Sequence, residues 1–479
     1  MQRRPCVLAF ALALLASCGA KPGPKHVILV TIDTLRADHL TAWGYARPTT
    51  EARAAAARGS VPGYTIDDIA AQGVRCENAF APRGMTLPSM ATLFTGLPPI
   101  ETCVLDNRNV LGADASTLAE RFKAAGFRTA AFSANRLLAP GSGIEQGFDT
   151  FVQDPAGDRD GNAVEAAESW LAEQDPKDGA RIFLWLHLVG PHLSYDPAPI
   201  EGVDFARMYD DPAYAGAADG SREFLDAAYG QGRALDPKEV AHVVALYDGE
   251  VARVDHLVSR FLAFCAGAGA RPSRDLLADA LLVFAADHGE ELYERSRYFG
   301  HAKSLYASVL HVPLVFRCPG ILPAGRVVPD LVGLEDVLPT LLELTGIEPA
   351  RGIHGRSLVQ LVRATAPLPE LPAFSLWRDK MYSVRSGRWR LVWNPDRAVS
   401  DDVPPGPYPV PEIALFDTTI DPHELRDVSA EHPDVVRGLQ AAVTAWRAGL
   451  RACTATPSGP TPAQIKAMRD LGYADGEPK

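Results

Sequence analysis

Runs of consecutive apolar residues, with no polar alternation, most constrain how this chain can fold. Val27-Ile28-Leu29-Val30, Ile182 to Leu186, Leu281 to Ala285 and Val312 to Phe316 all carry apolar side chains at successive positions. Successive side chains of a strand point to opposite faces, so each run needs cover on both, as in a parallel sheet. Between them the spacing predicts helices at Ala115 to Gly126, Gly161 to Glu173, Lys238 to Phe264 and Leu331 to Thr345, with a further strand at Thr129 to Phe132. The Ala- and Arg-rich stretch Glu51 to Ser60 is expected as a surface insertion before a helix at Ile66 to Gln72. Strands alternating with helices predict an α/β fold: a large, mostly parallel sheet sandwiched by helices. Beyond about Pro367 the pattern changes. Met381 to Val384 and Trp389 to Trp393 alternate like a hairpin around Ser386-Gly387, Glu412 to Phe416 adds a strand, and Pro433 to Leu450 a closing helix. The expected organisation is a leader over 1–24, the α/β domain over 25–366 and a small α+β subdomain over 367–479.

The leader reads as a targeting segment. Arg3 and Arg4 precede an apolar stretch from Cys6 to Ala16 and a small-residue processing site, Ser17-Cys18-Gly19. Leu15-Ala16-Ser17-Cys18 resembles the lipobox of bacterial lipoproteins, which implies export to the cell envelope and a lipid anchor on Cys18. A secretory signal cleaved near Ala20 is the alternative. The apolar stretch is too short to span a bilayer, and every later apolar run is broken by charge, Pro or Gly. A net charge of -12 with no basic stripe argues against nucleic acid as a partner. Past the leader stand Cys76, Cys103, Cys265, Cys318 and Cys453, an odd number without metal-type spacing. An exported protein can pair two of them; the spacing does not say which.

In open α/β sheets ligands collect at the C-terminal ends of strands, and there the chain concentrates its polar chemistry. The first run ends in Asp33 and the fourth predicted strand in Asp287-His288, donors that suit a divalent cation such as calcium, zinc or manganese. Asp33 is equally suited to capping a helix. The strand Ile182 to Leu186 leads into His187 and His192 beside Gly190-Pro191, a pattern that points to anion contact, although a lone buried His is more often structural. Pro199 to Pro237 is loop-rich, as a lid would be. In Thr86-Leu87-Pro88-Ser89, Pro88 suits the first helical turn and Gly96 its end, so Thr86 falls just before a helix whose free N–H groups favour an anion. An ordinary N-cap is the bland role for such a Thr.

Together these motifs resemble the sulfatase family of the alkaline phosphatase superfamily. The agreement runs from about His26 to about Leu450. It includes Asp33-Thr34-Leu35-Arg36-Ala37-Asp38, Pro88-Ser89 with Thr95-Gly96, Gly190-Pro191-His192, Asp287-His288-Gly289-Glu290 and Gly300-His301. Val312-Pro313-Leu314 and Asp421-Pro422-His423-Glu424-Leu425 continue it. The resemblance implies a metal held by Asp33, Asp287 and His288, a nucleophile at Thr86, and His192 and His301 on the anionic head or leaving group. Lys303, His187 and Asn107 are expected to bind substrate, an anionic sulfate or phosphate ester.

Four departures from the family pattern stand out. Thr86 carries a methyl on Cβ and cannot be oxidised to the aldehyde that typical members use, and Met90 replaces the Arg of their maturation motif. Thr34 replaces a second acidic ligand, Thr102-Cys103 replaces His-Gly, and Ala307 replaces a Glu. The expected chemistry is therefore ester hydrolysis by a metal-activated threonine hydroxyl without formylglycine. A cation-poor nucleophile would favour a monoanionic ester. The alternatives are an envelope phosphotransferase of the phosphoethanolamine or phosphoglycerol type, and a non-catalytic envelope protein on the same fold.

Overall fold

A computed structural model describes residues 23–153, 159–174, 179–268, 275–295, 298–397, 410–453, 460 and 462–470. Residues 1–22 of the leader, Cys18 among them, lie outside the described residues. Strands β1 (His26–Ile32), β2 (Val74–Phe80), β3 (Phe127–Ser133), β4 (Thr150–Gln153), β5 (Arg181–Leu188) and β6 (Ala280–Ala286) enter the main sheet. The short pair β7 (Glu291–Leu292) and β8 (Phe299–Gly300) follows, then β9 (His311–Arg317) and β10 (Arg326–Gly333) return to it. The eight-stranded order is β10-β2-β9-β6-β1-β5-β3-β4. Only β9 runs against the rest, antiparallel to both β2 and β6. The sheet is thus mostly parallel, as the apolar runs require. Every residue of β1 and β6 is buried.

Helices α1 (Ile66–Gln72), α2 (Thr86–Thr95), α3 (Pro99–Thr102), α4 (Leu118–Ala124), α5 (Arg159–Glu173), α6 (Arg222–Gly230) and α7 (Pro237–Cys265) cover the sheet together with α8 (Ala307–Leu310), α9 (Val337–Thr345) and α10 (Val359–Val362). All ten residues of α2 are buried, and Gly96 ends it at φ 69°. Each of its apolar side chains Leu87, Met90, Leu93 and Phe94 is fully enclosed, a burial of about 1.5–3 kcal/mol apiece. Phe94→Ala, which would open a void against Trp185 and Phe148, is the change that would most loosen it, by about 3–5 kcal/mol. Strands β11 (Ala373–Trp377), β12 (Met381–Ser386), β13 (Trp389–Trp393) and β14 (Ile413–Asp417) form a separate antiparallel sheet. Helix α11 (Pro433–Gly449) packs Val436, Leu439 and Val443 against Val384, Leu391 and Leu415 of that sheet. A last helix, α12 (Pro462–Asp470), follows.

Several expectations need correction. Leu331 to Gly333 is strand, because Leu331 and Val332 pair with Asn78 and Ala79 of β2; the helix begins at Val337. Thr86 is the first residue of α2, with Met85 at the N-cap, so Thr86 does not precede the helix. Glu51 to Ser60 is not a simple surface insertion: Arg58 is 1% exposed and pairs with the buried Asp255 at 3.1 Å. Cys103 and Cys453 are disulfide-bonded, while Cys76, Cys265 and Cys318 are free and buried.

Candidate active site

Register brings the acidic residues together. Ile32 pairs with Ala286, so Asp33 and Asp287 leave adjacent parallel strands side by side. His288 follows, its Nδ1 held 2.9 Å from the carbonyl of Gly289. That bond puts the ring proton on Nδ1 and leaves Nε2 as a lone-pair donor. Nε2 lies 3.5 Å from Asp33 Oδ1 and 3.7 Å from Asp287 Oδ2. All three of these atoms are buried and have no hydrogen-bond partner among the described residues. One ligand atom from each residue falls within 4.8 Å of the others. Buried polar atoms are normally satisfied, and two aspartates with an imidazole make a donor set for a divalent cation, so the residues fit one. Electrostatics agree. Burial first, then Asp287, pushes the Asp33 carboxyl well up, and burial pushes Asp287 up to about 7.

The supporting shell fixes these ligands. Asn135 Nδ2 donates to Asp33 Oδ2 at 2.6 Å, and the Thr34 N–H donates to Asp287 Oδ1 at 3.2 Å. Thr34 sits at φ 53°, uncommon for a β-branched residue. Tyr247 clamps that turn: its hydroxyl donates to the Thr34 carbonyl at 2.9 Å and accepts from the Arg36 N–H at 3.0 Å.

Thr86 reaches the same point from α2. Its Oγ1 is 3.4 Å from Asp33 Oδ2, long for a hydrogen bond, and its hydroxyl also lowers the Asp287 carboxyl. Asn107 accepts from the Leu87 N–H at 2.9 Å, and its own Nδ2 is buried without a partner among the described residues. His192 and His301 face each other with ring centroids 4.9 Å apart, and His301 lies 4.5 Å from the His288 ring. The His192 loop is held by Asp160, which accepts from the Val189 and Gly190 N–H groups at 2.7 and 3.0 Å. A Cβ on Gly190 would meet Val254 at 2.1 Å, so only glycine fits there. His301 Nδ1 is 2.8 Å from Glu290 Oε1. Burial pushes Glu290 up to about 8 and His301 well down, the latter helped by charge on His288, Arg222 and Arg83. Lys303 is 3% exposed, with Nζ 4.4 Å from the Tyr298 ring.

His187 is placed differently from the others. It is fully buried within β5, with Nδ1 2.8 Å from Thr31 Oγ1, as part of the floor beneath His288. Arg83, three residues before Thr86, is fully buried and acts on His288 and His301, and Arg222 of α6 acts on His192, His301 and Glu290. Both come from parts of the chain outside the nucleophile motif, so Met90 alone is a poor guide to the charge there. Asn135 carries the same signal as Asp33, a polar residue just beyond a buried strand. Glu290 stands inside a family motif, but only the fold gives it and Tyr247 their partners.

Comparison with known proteins agrees with this architecture. The sulfatase family profile matches residues 25–347. Arylsulfatase K of Mus musculus is 27% identical over 215 residues, 42% of this chain but 35% of the mouse protein. The match to arylsulfatase K of Xenopus laevis is longer, 23% identity over 423 residues, covering 76% of this chain and 73% of the frog protein. Among solved structures, the phosphonate monoester hydrolase of Agrobacterium radiobacter superposes with a TM-score of 0.66 at 21% identity, covering 89% of this chain and 95% of that one. A protein solved with its substrate D-glucosamine-2-N,6-O-disulfate gives 0.67 at 17% identity, covering 89% and 97%. With the profile spanning most of the sequence and the ligand cluster assembled at the strand ends, this chain belongs to the sulfatase family, a family of ester hydrolases.

Proposed function

We propose that the chain hydrolyses an anionic ester, sulfate or phosphate, by attack of the Thr86 hydroxyl. The observation that carries this is the position of Thr86 Oγ1, at the start of α2, 3.4 Å from Asp33 and beside Asp287. A divalent cation held by Asp33, Asp287 and His288 would lower the pKa of a hydroxyl beside it and polarise the ester oxygen. Thr86 Oγ forms the new bond to sulfur or phosphorus as the bond to the departing alcohol breaks, and its proton passes to Asp33 Oδ2. His301, held by Glu290, returns a proton to that alcohol oxygen. His192, Lys303 and the buried Nδ2 of Asn107 receive the anionic oxygens, and Arg83 and Arg222 add positive potential around them. Water, giving a proton to His301, then cleaves the threonyl ester, and Asp33 returns the proton to the Thr86 hydroxyl. His187, its Nδ1 bonded to Thr31, supports the ligand floor.

The preferred ester is read by assay. Turnover of an aryl sulfate, an aryl phosphate and a bis-aryl phosphodiester should fall at least ~1,000-fold in Thr86→Ala for whichever ester is preferred. A Thr86→Ala variant as active as the parent would remove the nucleophile from this account. The same proposal places the protein in the bacterial cell envelope through Cys18. Labelled fatty acid should enter the parent and not Cys18→Ala.

A further inference from the structure

Helix α12 packs on chain neighbours of the site residues. Ile465 and Met468, three apart and so on one helical face, pack on Met85, Leu137 and Ala302. Each of those three is a chain neighbour of the chemistry. Met85 precedes Thr86, Ala302 separates His301 from Lys303, and Leu137 follows Asn135, which holds Asp33, at a distance of two positions. Ala302 takes a left-handed conformation, φ 73°, and is fully buried. A nine-residue helix does not persist alone in water, so this packing is what holds α12.

The segment leading into α12 is fastened to the body twice. The backbone N–H and Nε of Arg451 each donate to Glu101 at 2.8 Å, and Cys453 is bonded to Cys103. Glu101 is also 2.7 Å from His354 Nε2, and Arg451 Nη2 donates to the Gly352 carbonyl at 2.6 Å. These contacts hold the start of the tail beside α3, in the chain segment that follows the nucleophile helix.

We propose that α12 is an apolar wall of the ester site, that it limits the bulk of the departing alcohol, and that the Cys103–Cys453 bond keeps it in place. This rests on the proposed hydrolysis at Thr86, since the wall stands on the side of His301 and Lys303. Apolar walls discriminate by size, and their loss admits larger groups without touching the reacting atoms.

Three full-length or near-full-length proteins test this: Ile465→Asp with Met468→Asp, the chain ending after Pro460, and Cys103→Ser with Cys453→Ser. Two esters of the same acid are compared, one with a nitrophenyl and one with a disaccharide leaving group. The ratio of kcat/KM, bulky over small, should rise about tenfold in the first two and less in the third. Hydrogen exchange across 85–90 and 300–304 should quicken in all three. An unchanged ratio in both wall variants overturns the proposal. If no variant, nor the parent, cleaves any ester, the proposed hydrolysis fails; exchange then decides the wall separately, with unaltered protection in the truncated chain counting against it.

Discussion

Tyr247→Phe isolates the clamp on the ligand turn. The ring would stay in place, since it is fully buried and edge-on to His39 and Tyr195 at 5.1 and 5.5 Å. The lost hydroxyl, however, would leave the Thr34 carbonyl and the Arg36 N–H without their partner in a dry interior. Each unsatisfied group costs about 1–3 kcal/mol. Thr34 would at the same time be free to leave its left-handed conformation, recovering about 1–3 kcal/mol of backbone strain. The two effects oppose, so the net loss of stability should be modest, about 1–3 kcal/mol. Relaxation of the turn moves the Thr34 N–H away from Asp287 Oδ1 and releases that carboxylate. Losing such a supporting contact typically weakens metal affinity about 10–100-fold. Titration of metal-free protein with calcium, zinc and manganese, alongside a denaturant melt, reads both quantities. A variant that binds its metal within threefold of the parent, yet is destabilised, would show that Tyr247 serves only packing and would refute the clamp.

Metal alone should stabilise the parent: at a hundredfold excess over Kd the gain is about 2.7 kcal/mol, visible as a raised Tm that Asp287→Asn abolishes. Failure of all three cations to move Tm would deny the site a metal. Glu250 predicts a pH effect. Burial, with Asp160 and Asp196 nearby, pushes it up to about 8 against the pull of Arg253. The folded chain therefore holds that proton more tightly than the unfolded one, so its contribution is complete below the ordinary Glu range and fades as pH rises through about 8. Glu250→Gln should flatten a loss on the order of 2–4 kcal/mol between about pH 5 and 8. Equal pH slopes for variant and parent would sink that assignment.

Much of this is legible in the sequence because unbroken apolar runs leave few options. The runs at Val27, Ile182 and Leu281 form β1, β5 and β6, with Asp33, Asp287 and His288 where a strand-end rule puts them. Strand β2 is not legible, because Arg75, Glu77 and Asn78 interrupt it, and tertiary pairing with β9 and β10 makes it a strand. Nor does anything local announce helix α12. It is short, it carries Lys466, Arg469 and Asp470, and Ile465 and Met468 are too few to make a periodic run. Charge is the hardest to read. A motif reports which residue is missing at a position, but not which distant residue occupies the same space.

That distinction bears on whether the departures signify decay. Ala307 stands where the family has a Glu, yet its N–H donates at 2.8 Å to Glu424, a carboxylate brought from the C-terminal subdomain, which also pairs with Arg390 at 2.6 Å. Cys103, in place of a Gly, takes a left-handed backbone at φ 62° and ties the tail to the body. Met90 is fully enclosed in the core, and the buried Arg83 adds positive potential at His301. Thr34 retains a buried hydroxyl with no partner among the described residues, an oxygen beside the acidic pair. At two of these positions, Ala307 and Met90, another part of the chain brings a charged group into the neighbourhood, which argues against simple decay of the site.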